Sequence, residues 1–254
     1  GRVDTSWDHL KQFCSNRIFG LQEPFFVHVA TRPPENGILE NNFFLRKNIE
    51  WSGIAFKCSH PDNNPNRNKI HTIERHKYQL KEIGIRNIKL SNFLWVKDKK
   101  KFKIKEPYVL FSPGASLHRV KKKWPILNYV MLAKKFIKKG LTPVILGNFK
   151  DEETGNFISM NTNGCINLVN QTDIQDLCIL ARNAKLAIGN DTGPMHVFSM
   201  NGCNSIVLFS NDSNPVRCAP RAINKRKIVK VIQKNDLRDL TVDEVINSLR
   251  NDCG

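Results

Sequence analysis

Disulfide bonds, structural zinc and membrane spans all find little support in this sequence of 254 residues. Its seven cysteines are odd in number and show no Cys-x-x-Cys spacing, so neither a disulfide framework nor a zinc site is expected. No apolar run approaches the roughly 18 residues that a membrane-spanning helix needs. We therefore expect a globular protein in a reducing, cytoplasmic setting.

Negative charge is also scarce. Lys and Arg number 40 and Asp and Glu number 23, so the net charge is +17. This surplus favours an anionic partner, namely a nucleic acid, an acidic membrane surface or a phosphorylated substrate, unless it serves only to keep the surface hydrated. Aromatic residues are not interleaved with the basic runs in a stacking pattern, and no nucleic-acid motif is present. We therefore expect no nucleic-acid partner. A non-enzymatic nucleic-acid-binding protein is kept only as the lower-ranked alternative.

A lysine-rich stretch separates two unlike parts of the chain. The sequence KDKKKFKIK at 97–105 carries six lysines and one acid, which is typical of a solvated linker. We predict three segments, which are a partial N-terminal domain over 1–96, a basic linker over 97–106 and a complete C-terminal domain over 107–254.

Apolar strands alternate with helices in the C-terminal part. Strands are predicted at 108–111, 142–146, 185–189 and 205–209. Helices are predicted from 126 to Gly140, from a Thr-x-x-Gln capping box at Thr172, between 196 and Gly202, and over 242–250. This alternation predicts a parallel sheet covered on both faces, as in a Rossmann-like domain. The N-terminal part contains a predicted strand at 25–29 and a predicted helix at 72–83, with Ile73, Leu80 and Ile83 on its apolar side.

Two loops follow predicted strands, at the edge where parallel sheets bind their ligands. SPGAS at 112–116 combines a tight turn with small residues, so a ligand can approach its backbone. NDTGPMH at 190–196 leads into a helix whose free amides form a ready seat for a phosphate. The candidate binding residues are Ser112, Gly114 and Ser116 in the first loop, and Asp191, Thr192, Gly193, Pro194 and His196 in the second.

Each of these features also has a purely structural interpretation. SPGAS is equally well explained as a structural turn, Asp191 as a helix cap and His196 as a histidine satisfied inside the core. The basic segment RVKKKWP at 119–125 includes Lys122, which could reach a diphosphate held by the loops, yet a solvated basic loop explains it as well. Neither loop matches a Walker A motif or a Gly-x-Gly-x-x-Gly fingerprint.

The order of the motifs resembles a known family. Pro-Gly-Ala-Ser at 113–116, Lys-x-Trp-Pro at 122–125, Gly-x-x-Pro-Val-Ile-Leu-Gly at 140–147 and the stretch 166–196 follow one another. This order is similar to that of glycosyltransferase family 9, the bacterial heptosyltransferases of lipopolysaccharide synthesis. The resemblance extends over about 107–250.

The resemblance implies a two-domain glycosyltransferase-B fold, with a complete C-terminal Rossmann-like domain here and a partial N-terminal one. It implies inverting, metal-independent transfer of heptose, or a related sugar, from a nucleotide-diphosphate donor such as ADP-heptose to a lipopolysaccharide-core acceptor, without a cofactor. The family positions near the donor match Ser116, Lys122, Asp191, Thr192, Gly193 and His196, and more loosely Asp151 and Glu152. An anionic acceptor also implies peripheral contact with the inner membrane, which the basic surplus suits.

The sequence departs from the family pattern at three places. The basic loop between Ser116 and Lys122 is slightly longer than usual. Asn170 stands where glycine is common. The first N-terminal strand of the family, with the loop that carries the aspartate proposed as general base, has no counterpart within 1–90. Residues 71–85 resemble the last helix of that domain, so we expect 1–90 to be its later part and the base to lie in a preceding segment. A sugar-nucleotide epimerase of the same fold, which needs no acceptor, is the main alternative.

Overall fold

The structure of the chain is a computed structural model, which describes residues 28–29, 51–54, 58–88, 93, 95–97, 101–115, 119–223 and 226–250. The chain forms two compact units, one from residues 1–92 with 216–218 and one from residues 93–215 with 219–254. Within the described ranges, no helix combines the length and the apolar composition that crossing a bilayer requires.

The described part of the first unit contains a small parallel sheet and a helix of 11 residues. Its strands pair in the order β1 (His28–Val29), β2 (Trp51–Gly53) and β3 (His60–Pro61), and its helix is α1 (Thr72–Glu82). The helix starts after His71, whose Nδ1 accepts a hydrogen bond of 3.1 Å from the Ile73 amide. The predicted helix at 72–83 is confirmed to within one residue. Of the predicted strand at 25–29, residues 28–29 form β1 and the others lie outside the described residues.

The buried face of α1 is more polar than the sequence pattern predicts. Leu80 is buried, but Ile73 and Ile83 are only partly buried. Three polar residues share the buried face, namely Arg75, His76 and Gln79. The Gln79 side chain donates a hydrogen bond of 3.2 Å to the Ser52 hydroxyl in β2. Periodicity identifies the helix, but the neighbouring chain decides which of its faces is covered.

The second unit is a parallel sheet with flanking helices, as predicted. Its strands are β4 (Tyr108–Ser112), β5 (Thr142–Ile145), β6 (Ile166–Asn167), β7 (Leu186–Asn190), β8 (Ser205–Phe209) and β9 (Val229–Gln233). Its helices are α2 (Ile126–Ile137), α3 (Glu152–Met160), α4 (Ile174–Asn183), α5 (Gly193–Met200) and α7 (Val242–Arg250). A short helix, α6 (Pro215–Cys218), belongs mainly to the first unit.

The strand order of this sheet contains one reversal. The order is β6-β5-β4-β7-β8-β9, and all neighbouring strands are parallel. The chain therefore builds outward from β4 through β5 to β6, returns to the other side of β4, and continues outward through β8 to β9. Open parallel sheets bind ligands beyond the carboxyl ends of the two strands where this reversal occurs. Here those two strands are β4 and β7.

Three elements of the second unit were not predicted. The strand β6 has only two residues, and the edge strand β9 interrupts its apolar pattern with Lys230 and is only partly buried. The helix α3 contains Gly155, which weakens a helical pattern. A Cβ at Gly155 would lie 2.7 Å from the Val169 side chain, so the glycine allows α3 to pack against the segment after β6.

The start of α4 differs from the predicted capping box at Thr172. Asp173 is the N-cap, and its carboxylate accepts a hydrogen bond of 2.8 Å from the Asp176 amide. The Asp176 carboxylate in turn accepts one of 3.0 Å from the Asp173 amide. The buried Thr172 hydroxyl has no hydrogen-bond partner among the described residues. A carboxylate accepts such a bond more strongly than a hydroxyl does, and Asp173 is one residue closer to the helix.

An aromatic cluster supports the sheet behind the carboxyl end of β4. The Phe111 ring lies 5.7 Å from the Tyr129 ring and 6.0 Å from the Phe136 ring, both on α2. Trp124 meets Tyr129 edge to face at 4.8 Å, and its indole N–H donates a hydrogen bond of 2.8 Å to the Leu240 carbonyl. These buried contacts fix α2 and the segment before it against the end of β4.

Candidate functional site

The two loops singled out from the sequence start side by side. Ser112, the last residue of β4, pairs with Gly189 near the end of β7. A Cβ at Gly189 would lie 2.7 Å from the Ser112 carbonyl oxygen and 2.8 Å from the Met195 sulfur, so this close approach requires glycine. The Ser112 and Thr192 hydroxyls are 3.1 Å apart and hydrogen-bond one loop to the other. The fold thus brings SPGAS and NDTGPMH together at the reversal of strand order.

The first turn of α5 is left open by its own cap residue. Thr192 occupies the N-cap position with extended backbone angles, but its side chain makes no capping hydrogen bond. The Thr192 hydroxyl instead donates to the Asn190 carbonyl at 3.1 Å and contacts Ser112. Pro194 sits in the first turn, where its missing N–H has no consequence. The Met195 amide donates to the Thr192 carbonyl at 3.2 Å, so this turn offers an anion the Gly193 amide and the positive end of the helix.

Lys122 and Asp191 form a buried ion pair in this site. The Lys122 ammonium lies 2.5 Å from Asp191 Oδ2, and the Ser213 hydroxyl donates to the same oxygen at 2.8 Å. Burial alone would raise the pKa of Asp191, but the Lys122 charge and hydrogen bond outweigh it and hold that pKa below its usual range. Asp191 is therefore not the helix cap, and Lys122 is not part of a solvated loop. Both alternatives from the sequence are wrong, because tertiary packing joins the two side chains.

A buried amide that the sequence analysis did not select joins three segments. The Asn190 side chain donates to the Pro113 carbonyl at 2.7 Å and to the Gly114 carbonyl at 3.3 Å. Its oxygen accepts from the Tyr129 hydroxyl at 3.2 Å and from the Trp124 amide at 3.4 Å. The sequence feature that could have identified Asn190 is its place as a polar residue at the end of an apolar strand.

Asp151 lies against the SPGAS turn. Its carboxylate occupies the space beside two glycines, where a Cβ at Gly114 or at Gly147 would come within 2.6 Å or 2.7 Å of it. The Asn148 amide donates to this carboxylate at 2.9 Å. Burial raises the pKa of Asp151, which the Asn148 amide and the charge of Lys123 partly oppose. An acidic group with a raised pKa thus faces the turn.

Glu152, the acidic residue selected from the sequence, is exposed at the start of α3. Its carboxylate accepts a hydrogen bond of 2.7 Å from the side-chain amide of Asn170. Asn170 has a backbone φ of +61°, which explains why glycine is common at this position of the family pattern and why asparagine is tolerated. Of the neighbouring acids, Asp151 rather than Glu152 lies beside Gly114.

The remaining candidates are placed as follows. His196 is partly buried on α5, close enough to Asp191 for its charge to lower the pKa of that carboxylate. Ser116 lies outside the described residues. In the part of the chain that the structure describes, no group of three His, Cys, Asp or Glu side chains is arranged to hold a metal ion.

Comparison with known proteins gives a consistent family. The model of glycosyltransferase family 9 (heptosyltransferase) matches residues 69–245. Lipopolysaccharide heptosyltransferase 2 of Escherichia coli strain K12 is 32% identical over 131 residues, which is 50% of this chain and 37% of that protein. The protein of the same name from Salmonella typhimurium strain LT2 is 31% identical over 131 residues, with the same shares. The chain thus matches little more than a third of the length of these curated relatives.

Solved structures share the fold. E. coli ADP-heptose LPS heptosyltransferase II superposes with a TM-score of 0.63 at 22% identity, covering 80% of this chain and 69% of that one. E. coli heptosyltransferase WaaC with ADP superposes with a TM-score of 0.65 at 15% identity, covering 99% and 79%. These likenesses confirm the predicted glycosyltransferase-B type of α/β fold. With the family model matched over more than half of its residues, the chain belongs to glycosyltransferase family 9.

Proposed function

We propose that this chain carries the donor-binding part of a heptosyltransferase, which transfers heptose from ADP-heptose to a lipopolysaccharide-core acceptor. Family membership and relatives named lipopolysaccharide heptosyltransferase 2 support this function. In this proposal residues 107–254 bind the donor and residues 1–96 belong to the acceptor side. The observation that carries the donor site is the uncapped start of α5 beside the Pro113–Gly114 turn, where the strand order reverses.

The donor diphosphate is proposed to sit at the start of α5. The Gly193 amide and the positive end of the helix suit an oxyanion, and Pro194 removes one N–H from that turn. The Thr192 hydroxyl donates to the Asn190 carbonyl, which leaves the Ser112 hydroxyl to donate to Thr192 at 3.1 Å. These two bonds fix the start of α5 against the end of β4, at the base of the proposed diphosphate site. The space beside Gly114 in the opposite turn is taken by the Asp151 carboxylate. Ser116, which lies outside the described residues, stays a proposed donor-binding residue on the family resemblance. His196 adds a titratable donor on the same helix.

The reaction needs a stabilised leaving group. The acceptor hydroxyl attacks the anomeric carbon on the face opposite the diphosphate and forms a new C–O bond with inversion. The bond from the anomeric carbon to the β-phosphate oxygen breaks, and ADP leaves with the electron pair. In the proposal the Lys122 ammonium, the Gly193 amide and the positive end of α5 stabilise the charge on this oxygen, so no metal is needed. The base that takes the acceptor proton is assigned to none of these residues.

The pairing of Lys122 with Asp191 gives the ammonium a fixed position. A lysine side chain free in solvent loses rotamer entropy when it meets a phosphate. Lys122 is already ordered by Asp191, and Asp191 by Ser213, so this cost is met on folding. A charged group that is already in position stabilises the transition state more than one that must reorient during the reaction.

The acceptor and the place of action are also part of the proposal. A lipopolysaccharide core is anionic, and the net charge of +17 suits both that acceptor and the anionic lipid heads of the inner membrane. We propose a cytoplasmic protein in peripheral contact with that membrane. Co-sedimentation with anionic vesicles but not with neutral ones is the expected result.

Donor binding tests the proposal directly. We expect Lys122→Met and Thr192→Val each to weaken ADP binding about tenfold or more by isothermal titration calorimetry. The first removes the ammonium, and the second removes the hydroxyl that holds the start of α5 against Ser112. Lys121→Met is the matched control, because Lys121 is the exposed neighbour of Lys122 in the same turn. Unchanged affinity in both site variants would contradict the donor site.

The reaction class is tested by incubating ADP-heptose with and without a core acceptor and following the sugar by NMR. We expect transfer only when the acceptor is present, inversion at the anomeric carbon, and the same rate in the presence of EDTA. Conversion of the sugar nucleotide without acceptor would favour the epimerase instead.

A further inference from the structure

The Asn190 side chain lies near the proposed donor site and has a complete set of hydrogen bonds. It is fully buried at the end of β7, directly before Asp191. Its amide has two donor hydrogens and two acceptor positions, and all four have partners at 2.7–3.4 Å. A buried amide satisfied in this way holds its neighbours in one arrangement, because each bond is directional and none can be exchanged for water.

The four partners belong to two segments, the turn after β4 and the stretch from Trp124 to Tyr129. Two are the backbone carbonyls of Pro113 and Gly114 in the turn after β4. The third is the hydroxyl of Tyr129 on α2, and the fourth is the Trp124 amide just before that helix. Trp124 follows Lys122 by two residues, so the same amide also fixes the segment that carries the ammonium.

We propose that Asn190 and Tyr129 are positioning residues for the donor site, which hold the SPGAS turn and the Lys122 segment at the separation that the diphosphate requires. This inference rests on the proposed donor function and adds two residues to it. Neither side chain touches the ligand, since both are buried behind the loops. They act through the Pro113 and Gly114 carbonyls and through the Trp124 amide. Burial keeps the pKa of Tyr129 above its usual range, so its hydroxyl remains a donor at neutral pH.

A matched pair of tyrosines separates positioning from simple stabilisation. Tyr108 on β4 is as buried as Tyr129 and also donates one hydroxyl hydrogen bond, to the Leu180 carbonyl at 2.8 Å. That bond lies at the other end of β4, away from the SPGAS turn. Tyr108→Phe and Tyr129→Phe each remove one buried hydroxyl from the same unit. We expect similar falls in melting temperature for the two variants. A difference between their affinities for ADP would therefore come from the place of the lost hydrogen bond and not from lost stability.

Asn190→Asp is the stronger perturbation. It keeps the shape of the side chain and one oxygen for Tyr129 and Trp124. The donor nitrogen becomes an oxygen that faces the Pro113 and Gly114 carbonyls, and the repulsion displaces the turn. Should this variant fail to fold, Tyr129→Phe alone still tests the inference, because it removes only one of the four bonds.

The experiment is calorimetric titration of the full chain with ADP, at a temperature where circular dichroism shows every variant to be folded. Relative to the original chain, we expect an unchanged Kd for Tyr108→Phe, an increase of about threefold to tenfold for Tyr129→Phe, and about tenfold or more for Asn190→Asp. Affinities of Tyr129→Phe and Asn190→Asp equal to that of Tyr108→Phe would overturn the inference while leaving the donor site intact. Absence of ADP binding by the original chain would overturn the proposed function itself.

Discussion

Breaking the buried pair of Lys122 and Asp191 should destabilise the second unit far more than breaking an exposed ion pair. The two side chains are only 7% and 4% exposed, so removing one leaves the other charge buried without a partner of opposite charge. Loss of one partner from a buried pair costs about 3–5 kcal/mol. Ser213 still donates to Asp191 when the lysine is gone, so we place Lys122→Met at the lower end, about 3 kcal/mol.

A double-mutant cycle measures the coupling in the free energy of unfolding. Lys122→Met, Asp191→Asn and the double variant are compared by equilibrium urea denaturation, with constant m-values as the check on comparability. We expect the double variant to resemble either single variant, which corresponds to a coupling of about 2–3 kcal/mol. The control is the pair Lys135–Asp243, whose side chains are 47% and 76% exposed. Its coupling should stay below about 1 kcal/mol.

The pH dependence gives the same prediction a second test. The pKa of Asp191 is lower in the folded state, so its contribution to stability is complete above the unfolded pKa of about 4 and is lost as the pH falls through the lower folded pKa. The coupling should therefore be equal at pH 8 and pH 6 and should shrink below about pH 4. Additive single effects, or a coupling no larger than that of the exposed control, would refute the reasoning.

Three further predictions concern the fold of the second unit. Gly189→Ala should lower the free energy of unfolding by about 1–3 kcal/mol in urea, because the new methyl group meets a carbonyl oxygen at 2.7 Å, and an unchanged stability would contradict that close approach. Asp173→Ala should cost about 1 kcal/mol by loss of the α4 cap, whereas Thr172→Ala should cost less than half of that, and the reverse order would restore the capping box predicted from the sequence. Cys178 and Cys203 should resist iodoacetamide in the native protein at pH 8 by mass spectrometry, because burial raises their pKa values to about 11 and about 12, and prompt labelling would show that the thiols are accessible.

Much of the fold follows from local pattern. The apolar runs that became β4 and β8 are nearly continuous, as expected for strands buried on both faces, and the predicted bounds hold to within one residue. The final helix was predicted at 242–250 and is observed there. Local pattern failed where the local signal is weak. β6 is two residues long, and β9 lies at a sheet edge where lysine interrupts the apolar run.

The candidate site also has a part that local sequence predicts and a part that it does not. Its two loops were identified from turn chemistry and helix-start chemistry alone, and the fold places them next to each other. The partners within the site were not accessible to that reasoning. Asn190 meets Tyr129 across 61 positions of sequence, and Lys122 meets Asp191 across 69. Such contacts depend on strand order, which no local pattern records.

Local sequence suffices to place most strands and helices and to find the loops that can approach a phosphate, because propensity and turn chemistry act between neighbours along the chain. The position of β7 beside β4, the pairing of Lys122 with Asp191, and the contact of Asp151 rather than Glu152 with the SPGAS turn follow from the three-dimensional fold. Those outcomes depend on packing between distant segments, where a buried polar group without a partner costs free energy.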